Sequence, residues 1–127
     1  EAVILGSIIQ KEGRNLEDFA LVSSVFHNRL GINMLLQSDA TTNYVIPKEE
    51  RSWILTAEQK AMDTPYNTYK YKGLTPTPIC CPGIDAILAA VEPEKSEYFY
   101  FIGTSSGAVV FAKTYGEHLK NIEQYLK

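Results

Sequence analysis

Apolar residues open the chain at helical spacing. Ile4, Leu5, Ile8 and Ile9 fall within about 140° of one face when each residue turns 100°, which predicts a helix over residues 2–12 with Gly13 as its stop. A second stripe, Leu16, Phe19, Val22, Phe26 and Leu30, runs to Gly31, and Asn15 with Asp18 forms a capping pair at its start. Together they predict a helical hairpin. Residues 34–38 (MLLQS) read as a short extended piece leading through Asp39 into a small helix at 40–45. Residues 46–64 are polar and charged around Trp53 and Leu55, with one or two helical turns expected from Thr56 to Met62.

Residues 65–83, PYNTYKYKGLTPTPICCPG, hold Pro65, Pro76, Pro78 and Pro82. Each proline removes a backbone donor and steers its predecessor away from helix, so the stretch predicts a long, shaped loop. Loops of this length are usually either functional or disordered, and three tyrosines favour order. GIDAILAAVEP then reads as a helix with Pro82 in its first turn and an end before Pro93. The period changes at Tyr98–Ile102 and Ala108–Phe111, two β-type runs flanking a five-residue turn, Gly103 to Gly107. Thr114 with Glu117 makes a capping box for a last helix. The predicted fold class is α+β: a mainly helical catalytic domain with a small antiparallel sheet, one domain over residues 1–127. Because Glu1 rather than Met opens the chain directly on a helical pattern, the domain is expected to be excised from a longer protein.

Composition removes several function classes. The chain carries 12 Lys+Arg against 15 Asp+Glu, a formal charge of −3, with no basic block, so no nucleic-acid partner is expected. No apolar run approaches the roughly 18 residues of a membrane span. The two cysteines, Cys80 and Cys81, are adjacent and lack the companions of a zinc site, so two free thiols and no metal are expected.

Glu12 is the most informative candidate. It falls near the middle of the apolar face of the first helix, where burial would raise its pKa into the range of a general acid at neutral pH. The alternative is a frayed helix end with Glu12 in solvent. If 34–38 is extended, Leu35, Gln37 and Asp39 share a face, so that Gln37 can hydrogen-bond a sugar while Asp39 caps the next helix. Tyr66, Asn67, Thr68 and Tyr69 offer aromatic faces, an amide and a hydroxyl together, which suits sugars and equally suits loop packing. His27, His118, Ser7, Ser23 and Ser24 lack partners for nucleophilic chemistry and read as structural.

The strings SIIQKEG (7–13), VFHNRL (25–30), LQSDAT (36–41), PYNTYKYKGLTPTPIC (65–80), PG (82–83), and YFYF followed by VVFAKTYGEH resemble the YceG-like family of endolytic murein transglycosylases along nearly the whole chain. In that family the first helix usually carries two glutamates around the lysine, the second being catalytic. Here the first is Gln10 and the match falls on Glu12. The resemblance implies a lysozyme-like active cleft without cofactor. It implies a bacterial enzyme that cuts peptidoglycan glycan strands between N-acetylmuramic acid and N-acetylglucosamine without water, leaving 1,6-anhydro ends. It also implies substrate contacts at Gln37, at Asp39 and in the Tyr66–Tyr69 segment, work at the extracytoplasmic face of the cytoplasmic membrane through an upstream anchor and LysM-like region, and cell-wall synthesis proteins as partners. The label aminodeoxychorismate lyase, sometimes given to the family, finds no support, because these residues suggest no pyridoxal phosphate site. Two rivals stay open: a muramidase using Asp39 as second carboxylate, and a catalytically idle glycan-binding or scaffold domain.

Overall fold

The computed structural model describes residues 1–52 and 54–126, so the expectation attached to Trp53 lies outside the described residues. Among the described residues six helices and one hairpin follow in order: α1 (Ala2–Glu12), α2 (Leu16–Gly31), α3 (Asp39–Tyr44), α4 (Ala57–Lys60), α5 (Ile84–Val91), β1 (Tyr100–Gly103), β2 (Val109–Ala112) and α6 (Tyr115–Leu126), with a 3-10 turn at Lys48–Glu50. The fold is α+β, as the sequence predicts.

The core is where α1, α2 and α5 meet. Leu5, Ile8 and Ile9 of α1, Phe19, Val22 and Phe26 of α2 and Ala86, Ala89 and Ala90 of α5 bury together with Leu36 and Ile79, which the two irregular segments contribute. The alanines let α5 approach closely, and so does Gly6: a Cβ there would lie 3.3 Å from the Cα of Ile87. Phe26 meets Phe101 edge to face at 5.7 Å and thereby fixes the hairpin against α2. The hairpin is antiparallel with Tyr100 opposite Ala112 and Gly103 opposite Val109, and α6 packs on its two strands. Among the described residues no helix is long and apolar enough to cross a membrane.

Local signals explain most boundaries. Asn15 Oδ1 accepts from the Asp18 amide at 3.0 Å while Asp18 Oδ2 accepts from the Arg14 amide at 3.2 Å, which satisfies two donors at the start of α2. Thr114 Oγ1 likewise accepts from the Glu117 amide. Other boundaries differ from expectation. Gly31 stays inside α2, and the left-handed residue that turns the chain is Asn33, at φ 58°. Pro82 precedes the cap residue Gly83 instead of standing in the first turn of α5. Residues 34–38 form no strand: Gln37 adopts φ 53°, outside the extended region, although the burial still alternates, with Leu36 and Ser38 buried on either side of the exposed Gln37.

Gly13 ends α1 for a packing reason. Its φ of −104° is open to any residue, but a Cβ there would sit 2.6 Å from Cδ1 of the buried Phe19 ring. Gly13→Ala is therefore expected to lower stability by about 1–3 kcal/mol through overpacking. The check is the urea midpoint at unchanged m-value; an unmoved midpoint would contradict this contact.

Candidate active site

Glu12 is the last residue of α1, on the face that buries Leu5, Ile8 and Ile9. The stripe carries it to the edge of the core, where the helix stops and a cleft of about 290 Å³ opens. Lys11, Asp39, Asn43, Tyr44, Arg51 and Ile79 are among the other walls. Glu12 is half-buried, and burial pushes its carboxyl up from the ordinary 4.5 to about 7. The Ser38 hydroxyl, donating to Oε1 at 3.1 Å, pulls it back; the neighbouring Asp39 charge adds to the rise and Arg29 opposes it. The unpaired carbonyls at the C-terminal end of α1 also disfavour an anion there. The alternative of a frayed end in solvent is not what the chain adopts.

Ser38 is the residue that sequence reasoning missed. It occupies the N-cap position of α3, where a serine would ordinarily bond the helix's own amides, yet its side chain makes no capping bond and turns to Glu12. Its backbone is clamped: the Ser38 amide donates to Thr68 Oγ1 at 2.9 Å, and its carbonyl accepts from Thr41 Oγ1 at 2.9 Å. Asp39, expected as the cap, is the first helical residue, and its Oδ1 accepts from the Tyr69 hydroxyl. Burial, and then this bond to Asp39, raise the Tyr69 phenol far above its ordinary range and keep it a donor.

The other expected sugar contacts separate. Asn67 and Thr68 are 0% and 1% exposed, which corrects their reading as substrate ligands. Asn67 Nδ2 donates to the carbonyls of Lys60 (3.0 Å) and Met62 (2.8 Å), while its Oδ1 accepts from the Tyr69 amide at 3.0 Å. Its polar atoms are used in folding the tyrosine loop, as those of Thr68 are in holding Ser38. Tyr66 is not among the cleft's walls; its ring lies 5.2 Å from that of Tyr44, which is, and its hydroxyl 2.7 Å from Thr77 Oγ1. Gln37 is exposed and is not among the cleft's walls; its amide donates to the Thr68 carbonyl. The structure thus brings Glu12 and Asp39 into one cleft with Tyr69 attached to Asp39.

A family model described as the YceG-like family matches residues 1–124. The chain belongs to the YceG-like family. A curated relative from Bacillus subtilis (strain 168), named endolytic murein transglycosylase, is 41% identical over 96% of this chain and 33% of its own length. One of the same name from Streptococcus pneumoniae serotype 2 (strain D39) is 36% identical over 99% of this chain and 24% of its own. The chain thus spans a third or less of the curated relatives it matches. A crystal structure of a YceG-like protein from Listeria monocytogenes superposes with a TM-score of 0.83 at 43% identity, covering 91% of this chain and 38% of that one.

The remaining candidates of this YceG-like chain are structural. His27 Nε2 pairs with the Ala90 carbonyl at 2.7 Å, and His118 stacks on Tyr100 at 4.9 Å. Ser7 donates to the Ile4 carbonyl and accepts from the Ile79 amide, and Ser23 donates to the Ala89 carbonyl. Cys80 and Cys81 are free thiols, and burial pushes Cys80 up, away from the reactive thiolate. Among the described residues no group of three His, Cys, Asp or Glu could hold a metal ion. Arg29, also unforeseen, is 5% exposed; it donates through Nε to the Phe99 carbonyl at 2.7 Å and through Nη1 to the Leu36 carbonyl. It ties the hairpin and the Ser38 segment to α2, and it places a positive charge near Glu12.

Proposed function

We propose that this domain is a lytic transglycosylase that cleaves the glycan of bacterial peptidoglycan between N-acetylmuramic acid and N-acetylglucosamine, with Glu12 as both acid and base. The observation that carries the reading is Glu12 itself, a half-buried carboxyl near 7 in a cleft. The names of the relatives supply the substrate class. Protonated Glu12 gives its proton to the glycosidic oxygen as the bond from that oxygen to the anomeric carbon breaks. The muramic acid's own C6 hydroxyl then attacks that carbon and returns its proton to the Glu12 carboxylate. No water is consumed, and the enzyme ends as it began. Ring closure replaces an encounter with water, provided the sugar is held with that hydroxyl poised. Asp39, held by the Tyr69 hydroxyl, and Tyr44 are the side chains in position to hold it. The domain would act outside the cytoplasmic membrane, where its substrate is, alongside proteins of wall synthesis.

One observation favours a second reading. Asp39 lines the same cleft as Glu12, which is the pairing a muramidase uses, one carboxyl protonating the leaving oxygen and the other handling water or the sugar carbon. The Tyr69 hydroxyl engages one Asp39 oxygen and holds the group to the wall, which supports a positioning role. The test is digestion of purified glycan strands by the full-length protein, with the new ends weighed. Ends lighter by one water than reducing ends are expected. Binding without cleavage would return the domain to the scaffold reading.

A further inference from the structure

The cleft holds two cations as well as two carboxyls. Lys11, next to Glu12, and Arg51 both line it, and among the described residues neither has a carboxylate within 4.0 Å. Three other basic side chains are paired, Arg14 with Asp18, Lys70 with Asp63 and Lys113 with Glu97, so an unpaired cation is not by itself unusual here; what sets Lys11 and Arg51 apart is that they line the cleft. Arg51 is held in place. Its Nε donates to the Ile46 carbonyl at 2.8 Å and its Nη2 to the Tyr44 carbonyl at 3.3 Å, just past and at the end of α3. A cation suits that helix end, but the two bonds leave Nη1 without a partner among the described residues. The guanidinium is thus fixed, charged and still able to donate. With Glu12 protonated, Lys11 and Arg51 outnumber the Asp39 carboxylate, so the cleft walls carry a net positive charge in a chain whose formal charge is −3.

We propose that Arg51, assisted by Lys11, binds a carboxylate carried by the glycan strand, so that the cleft selects anionic strands over neutral ones of the same sugar backbone. The inference rests on the proposed glycan reading. Such strands carry carboxylates in two places: on the peptide stems, or, where the stem has been removed, on the lactyl group of muramic acid. A guanidinium takes either one through charge-assisted hydrogen bonds, for which a planar fork is better suited than an ammonium. Because both cations are exposed, the attraction is screened by salt and falls off over about 8 Å at physiological ionic strength.

The experiment compares three substrates with the full-length protein: strands with stems, strands trimmed by an amidase to leave the lactyl carboxylate, and trimmed strands whose carboxylates have been converted to amides with carbodiimide and ammonia. The wild type is expected to cut the amidated strands with a KM about five- to tenfold above that of its preferred anionic substrate, at similar kcat. Whichever anionic strand shows the lower KM identifies the source of the carboxylate. Arg51→Gln should collapse that difference by raising KM for the anionic strand, and Arg51→Lys should restore part of it. Added salt should move the wild type toward the variant. Equal KM values for all three substrates, or an Arg51→Gln enzyme that keeps the full preference, would overturn the proposal while leaving cleavage intact. If the wild type cuts none of the strands, the glycan reading fails, and this inference with it. A thermal melt of each variant separates lost folding from lost recognition.

Discussion

Glu12→Gln is expected to lose about three orders of magnitude or more in kcat/KM on glycan strands, because it removes the cleft carboxyl that burial raises to about 7 and that supplies the proton. The same substitution should make the protein more stable at neutral pH. A carboxyl near 7 in the folded chain and near 4.5 when unfolded leaves stability intact below 4.5 and erodes it as pH climbs toward 7, because ionisation costs more in the fold. The deficit at pH 7 is about 3 kcal/mol at a cost of 1.36 kcal/mol per pK unit. Glutamine cannot ionise, and its amide oxygen can still accept from Ser38. Urea midpoints should therefore fall for the wild type between pH 4.5 and 7 by more than they do for Glu12→Gln. Active-site carboxyls held away from water commonly carry this conflict between activity and stability. A variant that cuts at near wild-type rate would remove Glu12 from the chemistry.

The second large effect is on the pH profile. A general acid must hold its proton, so kcat/KM should fall tenfold for each pH unit above about 7. Ser38 donates to the ionised form and so holds the value down; Ser38→Ala removes that restraint, and the alkaline limb should move to higher pH. Its maximum rate should also drop, since Ser38 orients the carboxyl. A merely structural serine would lower activity at every pH without moving the limb, which is the outcome that would count against the pair.

The first helix and its acid were legible because both follow from local periodicity: Ile8 and Ile9 repeat at helical spacing, and Glu12 lies on their face. The Asn15 and Asp18 cap and the hairpin were legible for the same reason, each depending on residues a few positions apart. A similar signal passed unread in Thr56 and Gln59, which form a full capping box at the start of α4. The Ser38 segment was not legible. Its course depends on a left-handed Gln37, on Thr68 some thirty residues away, and on Arg29 reaching the Leu36 carbonyl. No pattern in MLLQS announces those partners. Asn67 and Thr68 were picked out for polar chemistry that the fold spends on tying the loop to its neighbours, and hydrogen-bonding capacity alone cannot separate the two uses. Arg51 was passed over because an exposed arginine in a charged stretch is ordinary until the structure places it in the wall of the cleft that Glu12 also lines.

Whether one carboxyl does the work of two is decided by carrying out the digestion in water enriched in heavy oxygen and weighing the new ends. If Glu12 alone supplies and recovers the proton while the C6 hydroxyl closes the ring, the new ends carry no label and weigh one water less than reducing ends. Labelled reducing ends would mean that water attacked the sugar, and Asp39, across the same cleft, would then be the second carboxyl of a hydrolase.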